Sequence, residues 1–542
     1  MAAELFCPSA ALVAGACKAK GGLLVARLED GALVAVDAAC PHQGYPLAQG
    51  SLQGCVITCA WHNFKFDLRT GAAVIGEEGL KQHRVYEQGG EIWVERDEAV
   101  DVGKAWRSLG EAMGQGQLGR AARELGRLRL AGLSFDALLV WIAATDANHA
   151  EYSPSHTGAL AWALRRWQAE VPAGQDPFVH ELQLLTEAAA QCAEATRGRP
   201  ARPRPAPVQP GADATEAARA FAAAVEAERA DEAEGRMRGF VAAGWDRAAL
   251  RAALSPVVSA HFLDFGHALI YAERMLDLAA LDGGSAADAI LGGYAFGLAN
   301  GTRESALPSW AGFRAKWAAW SHAGGPARAA AALAQGSAGP EARAAAAARV
   351  VEAAAASGPA SALFDVLKGI VEEGEAEGAI DGLVLAASGL LLQADLATLA
   401  DPEIDEGWLD LTHRLTAAHA LREPLALWPA ADALRLLLLV GHFVALGRGL
   451  SGPPVQPEPA PDPQALIARA LSDRAARPIF FAHDVKVLQV AIFEAELLGD
   501  PAPLQAAHRY LWSPVQERSA RKLAVEAARL LREGKPPRGL TG

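Results

Sequence analysis

Two short stretches carry residue types suited to redox chemistry: Cys40-Pro41-His42 and, after sixteen intervening residues, Cys59-Ala60-Trp61-His62. Two thiolates and two imidazoles on two loops can hold a mixed-ligand 2Fe–2S centre, one iron on both sulfurs and the other on both ring nitrogens. A structural zinc ion could use the same four side chains. Zinc, however, has no need of the long glycine-spaced stretch between the pairs, with Gly44, Gly50 and Gly54. The other cysteines, Cys7, Cys17, Cys55 and Cys192, read as small apolar residues. A second set of candidates is the spacing Asp-x-x-His, met at Asp146/His149, Asp264/His267 and Asp410/His413. On a helix, positions i and i+3 share a face, so a carboxylate there can bind a metal beside the imidazole or orient its ring. His261, His419, His442 and His483 lie in the same region of the chain. A site would have to gather ligands from several helices. Packing or capping by Asp-paired histidines is the competing reading, and a metal-free pocket with a catalytic imidazole is a third.

The elements that would position these groups fall into two regimes. Up to about residue 96 the chain alternates with period 2: Leu23 to Leu28, then Glu29-Asp30-Gly31, then Leu33 to Val36, and later Gly89-Gly90 before Glu91 to Glu95. Asp-Gly between apolar runs supplies the positive φ of a tight turn, so residues 1–100 read as a small all-β module. From Val102 onward Ala, Leu, Arg and Glu recur with helical period, giving an all-α body over 101–542. The expected class is therefore multidomain α+β. Ser153-Pro154 and Ser255-Pro256 read as N-caps followed by a first-turn proline. The Pro-rich segments 198–210 and 451–463 read as mobile linkers or surface loops, the first dividing the body near 198–212. Phe262 to His267 echoes Trp408 to His413 as aromatic-Leu-Asp-apolar-small-His, both within helical stretches. An internal duplication of this kind would present His267 and His413 from pseudo-symmetric positions.

Composition narrows the function. With 542 residues, 51% hydrophobic and 21% charged, the chain can build a small module plus a large body and is not disordered over most of its length. A net charge of −13 argues against a nucleic-acid partner. Six cysteines are too few for a disulfide scaffold. The start, with Glu4 and no basic residues before Lys18, does not read as a secretory signal. The apolar run Leu436–Leu446, interrupted by Gly441 and His442, is too short for a membrane span and reads as a buried helix. A cytoplasmic protein without a membrane partner is expected.

Around the Cys/His pairs, His42-Gln43-Gly44-Tyr45-Pro46-Leu47, Gly50-Ser51-Leu52-Gln53-Gly54 and the tail Asn63 to Gly71 strongly resemble the Rieske family, in its soluble ferredoxin and oxygenase-type members. The resemblance covers about residues 4–97. It implies a 2Fe–2S cluster held by Cys40, His42, Cys59 and His62, reduced by an external reductase or ferredoxin. Respiratory-chain members carry two further cysteines as a disulfide; Tyr45 and Trp61 stand at those positions, which implies a low-potential, reducible centre. Rieske oxygenases hold a catalytic iron with Asp-x-x-His-x(4)-His on a β-rich domain. Here Asp146-Ala147-Asn148-His149 is followed by His156 six intervening residues on, with Pro154 between, so those catalytic roles do not carry over. The helical body is similar in fragments to the questin-oxidase-like group, at His261 to Arg274, Gly301-Thr302-Arg303-Glu304 with Leu307-Pro308, and His483 to Lys486. That group is linked to oxidation of aromatic polyketides.

The leading expectation is a redox enzyme in which the cluster passes electrons to an oxygenase-like helical body acting on a small organic substrate. His149, His267 and His413 are its expected catalytic residues, at a second non-haem iron or other metal. The alternative is an electron-transfer or interaction protein whose helices are a non-catalytic scaffold.

Overall fold

The computed structural model describes residues 3–534 except 98–99, 263, 302, 304–305, 405, 453–458, 460, 473, 476 and 516–519, and except the side chain of Asp264. The chain divides into two compact units, Met1–Ser134 and Phe135–Gly542.

The first unit begins with strands β1 (Ala3–Pro8), β2 (Ala16–Lys20), β3 (Leu23–Arg27), β4 (Leu33–Asp37), β5 (Ser51–Gln53), β6 (Val56–Thr58), β7 (Lys65–Asp67), β8 (Ala73–Ile75), β9 (Gln82–Gln88) and β10 (Glu91–Glu95). They form a six-stranded sheet in the order β1-β10-β9-β4-β3-β2 and a four-stranded sheet in the order β5-β6-β7-β8. The β3–β4 register pairs Leu23 with Asp37 and Arg27 with Leu33. The connection turns at Gly31, φ +88°, with the Ala32 N–H donating to Asp30 Oδ1 at 3.1 Å. Alternation along β3 feeds two cores. Leu24 and Ala26 join Val36, Ile57, Phe66, Leu68, Cys40 and Cys59, while Leu23 and Val25 join Phe6, Ala35, Ile92 and Val94. Both faces of the strand are buried, which is why its register cannot slip.

Residue 100 marks the change of secondary structure rather than the end of this unit. Helices Val102–Gln115 and Leu118–Leu130 belong to it. Arg123 is one tie, donating to Glu78 at 2.9 Å and to the His42 carbonyl at 3.1 Å.

The second unit is helical, and several local expectations change there. The Pro-rich segment 198–210 is not a mobile linker and does not divide the body. Its Arg202 and Val208 N–H groups donate to Asn148 and Gly235 carbonyls at 2.8 Å. Val208 lies so close to helix Ala230–Ala242 that a side-chain carbon at Gly239 would fall 1.7 Å from its oxygen. Most of the later Pro-rich segment lies outside the described residues. Pro256 sits inside helix Arg247–Ala260, which Asp246 caps, and Ser255 instead donates to Asp432 at 2.9 Å. Ser153-Pro154 precedes a helix that starts only at Thr157. The apolar run lies in helix Ala430–Leu446, where Leu434, Leu436–Val440 and His442 are buried. The stretch Ala430–Leu450 is long and apolar enough to cross a membrane, yet 72% of its apolar window is buried within the protein. Being apolar all round fits a core helix.

Candidate metal centres

The first centre is built on two loops of similar design. In one, the Cys40 N–H donates to the Tyr45 carbonyl at 2.9 Å and the Gly44 N–H to the Cys40 carbonyl at 2.7 Å. In the other, the Cys59 N–H donates to the Phe64 carbonyl at 2.8 Å and the Asn63 N–H to the Cys59 carbonyl at 3.1 Å. Each loop needs a left-handed residue to close, Gly44 at φ +77° and Asn63 at φ +59°, the residue types that tolerate it. Both cysteines are buried, and burial, with the Cys59 thiol beside it, pushes the Cys40 thiol up. The His42 and His62 Nδ1 atoms lie 3.2 Å apart. Two facing thiols in the core and two facing imidazole nitrogens nearer solvent fit a 2Fe–2S cluster with one sulfur-bound and one nitrogen-bound iron. His62 is exposed beside Trp61, whose ring stacks on it at 4.7 Å. The Tyr45 and Trp61 rings face each other with centroids 5.6 Å apart.

The second centre lies in the helical unit. His413 Nε2 is 2.8 Å from His267 Nε2 and 3.3 Å from His483 Nε2. His156 completes the group, its ring 4.8 Å from that of His267 and 4.7 Å from that of His483. Ligand atoms of His156, His267 and His413 all fall within 4.8 Å of one another. The tautomers follow from the backbone. His413 Nδ1 donates to the Leu409 carbonyl at 2.6 Å and His483 Nδ1 to the Ile479 carbonyl at 2.7 Å, so both Nε2 lone pairs face inward. His156 Nε2 is buried with no hydrogen-bond partner. Burial holds all four imidazoles below their ordinary range, His267 at about 3, and the nearby Lys486 charge pushes the same way. His413 and His483 both spend Nδ1–H on backbone carbonyls, so when neutral their Nε2 lone pairs face each other at 3.3 Å with no proton to share, a cost that a cation relieves. An all-imidazole set suits iron, copper, nickel or zinc.

Four elements deliver these rings. Asp146, on helix Phe135–His149, accepts the Ser155 N–H at 2.8 Å and the Ser155 hydroxyl at 2.7 Å. That anchor sets His156 at the start of helix Thr157–Trp167. Phe265 and Gly266 both take left-handed conformations, φ +59° and +86°, and launch helix His267–Ala280 with His267 as its first residue. A left-handed Phe costs about 1–3 kcal/mol, and such strain concentrates at functional sites. The Phe265 ring stacks against His413 at 5.5 Å. His413 and His483 project from helices Trp408–Ala420 and Pro478–Leu498.

The expected set is thus partly assembled. His267 and His413 come together; His149 does not, its Nδ1 donating to the Thr145 carbonyl at 2.8 Å. His156, set aside above because of its spacing from His149, and His483, named among the nearby histidines, take part without an Asp-x-x-His spacing of their own. Asp146 and Asp410 organise backbone instead of histidine, Asp410 accepting the Gly407 N–H at 2.7 Å, and burial raises both carboxyls, Asp146 to about 6. The Asp264 side chain lies outside the described residues. The expected duplication is one of residue types only, because Phe262–His267 breaks before a helix while Trp408–His413 lies within one.

The Rieske 2Fe–2S domain family matches residues 7–87. The chain is 38% identical over 69 residues to the ferredoxin component of the p-cumate 2,3-dioxygenase system of Pseudomonas putida, a stretch covering 12% of this chain and 58% of that relative. Among solved structures it is similar to the Sphingomonas yanoikuyae B1 ferredoxin, at 25% identity over 17% of this chain and 98% of that one, TM-score 0.16. The ferredoxin of carbazole 1,9a-dioxygenase from Nocardioides aromaticivorans IC177 is 25% identical over 18% of this chain and 100% of that one, TM-score 0.17.

Proposed function

We propose, from the premise that residues 7–87 are a Rieske 2Fe–2S domain, that this chain is an oxidoreductase with two metal centres. An external reductase or ferredoxin supplies electrons to the cluster held by Cys40, His42, Cys59 and His62. The helical unit oxidises an organic substrate at a second metal, a non-haem iron, held by His156, His267, His413 and His483. The cluster supplies one-electron transfer at a potential set by its ligands. Cys40 and Cys59, being buried, would keep water from the iron they hold, and His62, being exposed, would offer an electron a short way in or out.

The observation that carries this reading is the convergence of four neutral imidazoles, with the Nε2 of His156 buried and unpartnered. A purely structural histidine core would give the His156 Nε2 a hydrogen-bond partner as well, because an orphaned buried polar group costs about 1–3 kcal/mol. Iron is preferred over zinc because a redox-inactive ion has no use for an electron donor on the same chain.

Metal analysis with EPR of the reduced full-length protein tests the proposal. Expected are the anisotropic signal of a mixed Cys/His cluster and iron in excess of the cluster's two atoms. Iron fully accounted for by the cluster, with no other metal bound, would falsify it.

Asp146→Ala provides a second check. Removing the anchor of the His156 loop should cost about 1–3 kcal/mol of stability through the unpaired Ser155 groups. It should also weaken metal binding in the helical unit by roughly 10–100-fold. Thermal melts and metal titration read the two effects separately, and unchanged metal affinity would mean that His156 is not a ligand.

A further inference from the structure

One helical turn beyond the four histidines lies a small pocket of about 30 Å³. Its lining repeats the histidine positions with an offset of three residues: Ala159 after His156, Ile270 after His267, Thr416 after His413 and Lys486 after His483. Three residues span about 4.5 Å of helix, so the pocket floor is stacked directly on the imidazole layer. Trp162, Arg274, His419 and Gln489 come from the next turn of the same four helices and form its upper wall.

The polar groups of this pocket have unused capacity. Both amide atoms of Gln489 are buried without a hydrogen-bond partner. Lys486 is buried, and among the described residues it has neither a hydrogen bond nor a carboxylate partner. Arg274 lies over the Trp162 ring at 3.9 Å and spends Nη1 on Glu423, while its Nη2 makes only a 3.5 Å contact with His419 Nε2. No carboxylate lines the pocket, and those bonded to its side chains are already engaged: Glu423 by Arg274, Glu494 by His419 and Arg422, and Asp277 by Trp162 and Arg247. The wall is mostly apolar, with Ile270, Ala420 and Val490 in it, and its polar side chains are the Gln489 amide, the Lys486 amine, one side of the Arg274 guanidinium, His419 and Thr416, whose hydroxyl is spent on its own helix.

We infer that this pocket is a carboxylate subsite, holding the acid group of the organic substrate one helical turn from the second metal. Three donors, on Lys486, Gln489 and Arg274, suit the two oxygens of a carboxylate, and charge-assisted bonds of this kind are stronger than neutral ones. The small volume accepts the acid group alone. The inference rests on the helical unit being the oxidising centre. Its test is made independent of the metal by working on the metal-stripped full chain.

Calorimetric titration with acetate should show saturable binding, and the neutral isostere acetamide should bind at least about tenfold more weakly. Gln489→Leu and Lys486→Met should each weaken acetate by about tenfold or more, with helicity and metal uptake on reloading unchanged for Gln489→Leu. Should Lys486→Met fail to fold, Gln489→Glu replaces it, putting a negative charge in the pocket that must abolish acetate binding. Equal affinity for acetate and acetamide, or full acetate affinity in the Gln489 variants, overturns the subsite. Failure to bind any metal on reloading, with acetate binding intact, would instead overturn the two-centre reading.

Discussion

His413→Ala is expected to strip the helical unit of its metal and to abolish substrate oxidation, leaving the colour and EPR signal of the cluster intact. His413 is the hub of the second centre, its Nε2 being 2.8 Å from His267 and 3.3 Å from His483. Loss of a direct ligand should exceed the roughly 10–100-fold cost of losing an outer hydrogen-bond partner. The cluster survives because its ligands belong to the other compact unit. His149→Ala is the matched control. It carries the same Asp-x-x-His spacing, but among the described residues its hydrogen bond is to its own helix at Thr145, so metal and activity should persist. Iron content, EPR and melting temperature of the two variants decide the matter. A His413 variant that melts early but keeps all the parent's metal would make the cluster of imidazoles a packing feature.

Cys59→Ser should have the second large effect. Cys59 is 1% exposed within the core of the β module, and its thiol neighbours that of Cys40. Replacing a cluster thiolate removes a ligand to the sulfur-bound iron, so the visible absorption and the reduced-state EPR signal should vanish. Turnover driven by an external electron donor should fall to background, whereas metal in the helical unit should stay at the parent's level. A variant with unchanged turnover would mean that electrons reach the helical unit by another route.

The two centres differ in how far they could be seen in the chain. The cluster site is local: Cys40/His42 and Cys59/His62 each sit on one loop, and Gly44 and Asn63 are the residue types such loops demand. Spacing alone therefore reports it. The histidine centre draws on four separated segments, and spacing within any one of them says little. At His413 and His149 the Asp-x-x-His spacing points to a pairing that does not form, since Asp410 caps its own helix and Asp146 holds Ser155. The same Asp146 does serve the site, but through His156, which lies beyond a proline and outside the helix. His483 has no Asp-x-x-His spacing because its partner is a backbone carbonyl one turn back, at Ile479. The helical prolines misled for a related physical reason. Pro256 is tolerated mid-helix, and the 198–210 segment lies against Gly235 and Gly239 through Pro205, Ala206 and Val208, where the missing side chains leave room for it.

Anomalous diffraction at the iron edge from crystals of the full-length protein, grown without added metal, tests the central claim most directly. The account predicts a peak in the helical unit about 2.0–2.3 Å from the Nε2 atoms of His156, His267, His413 and His483, separate from the cluster peak at Cys40, His42, Cys59 and His62. A cluster peak alone, with the four imidazoles joined by ordered water, would contradict it.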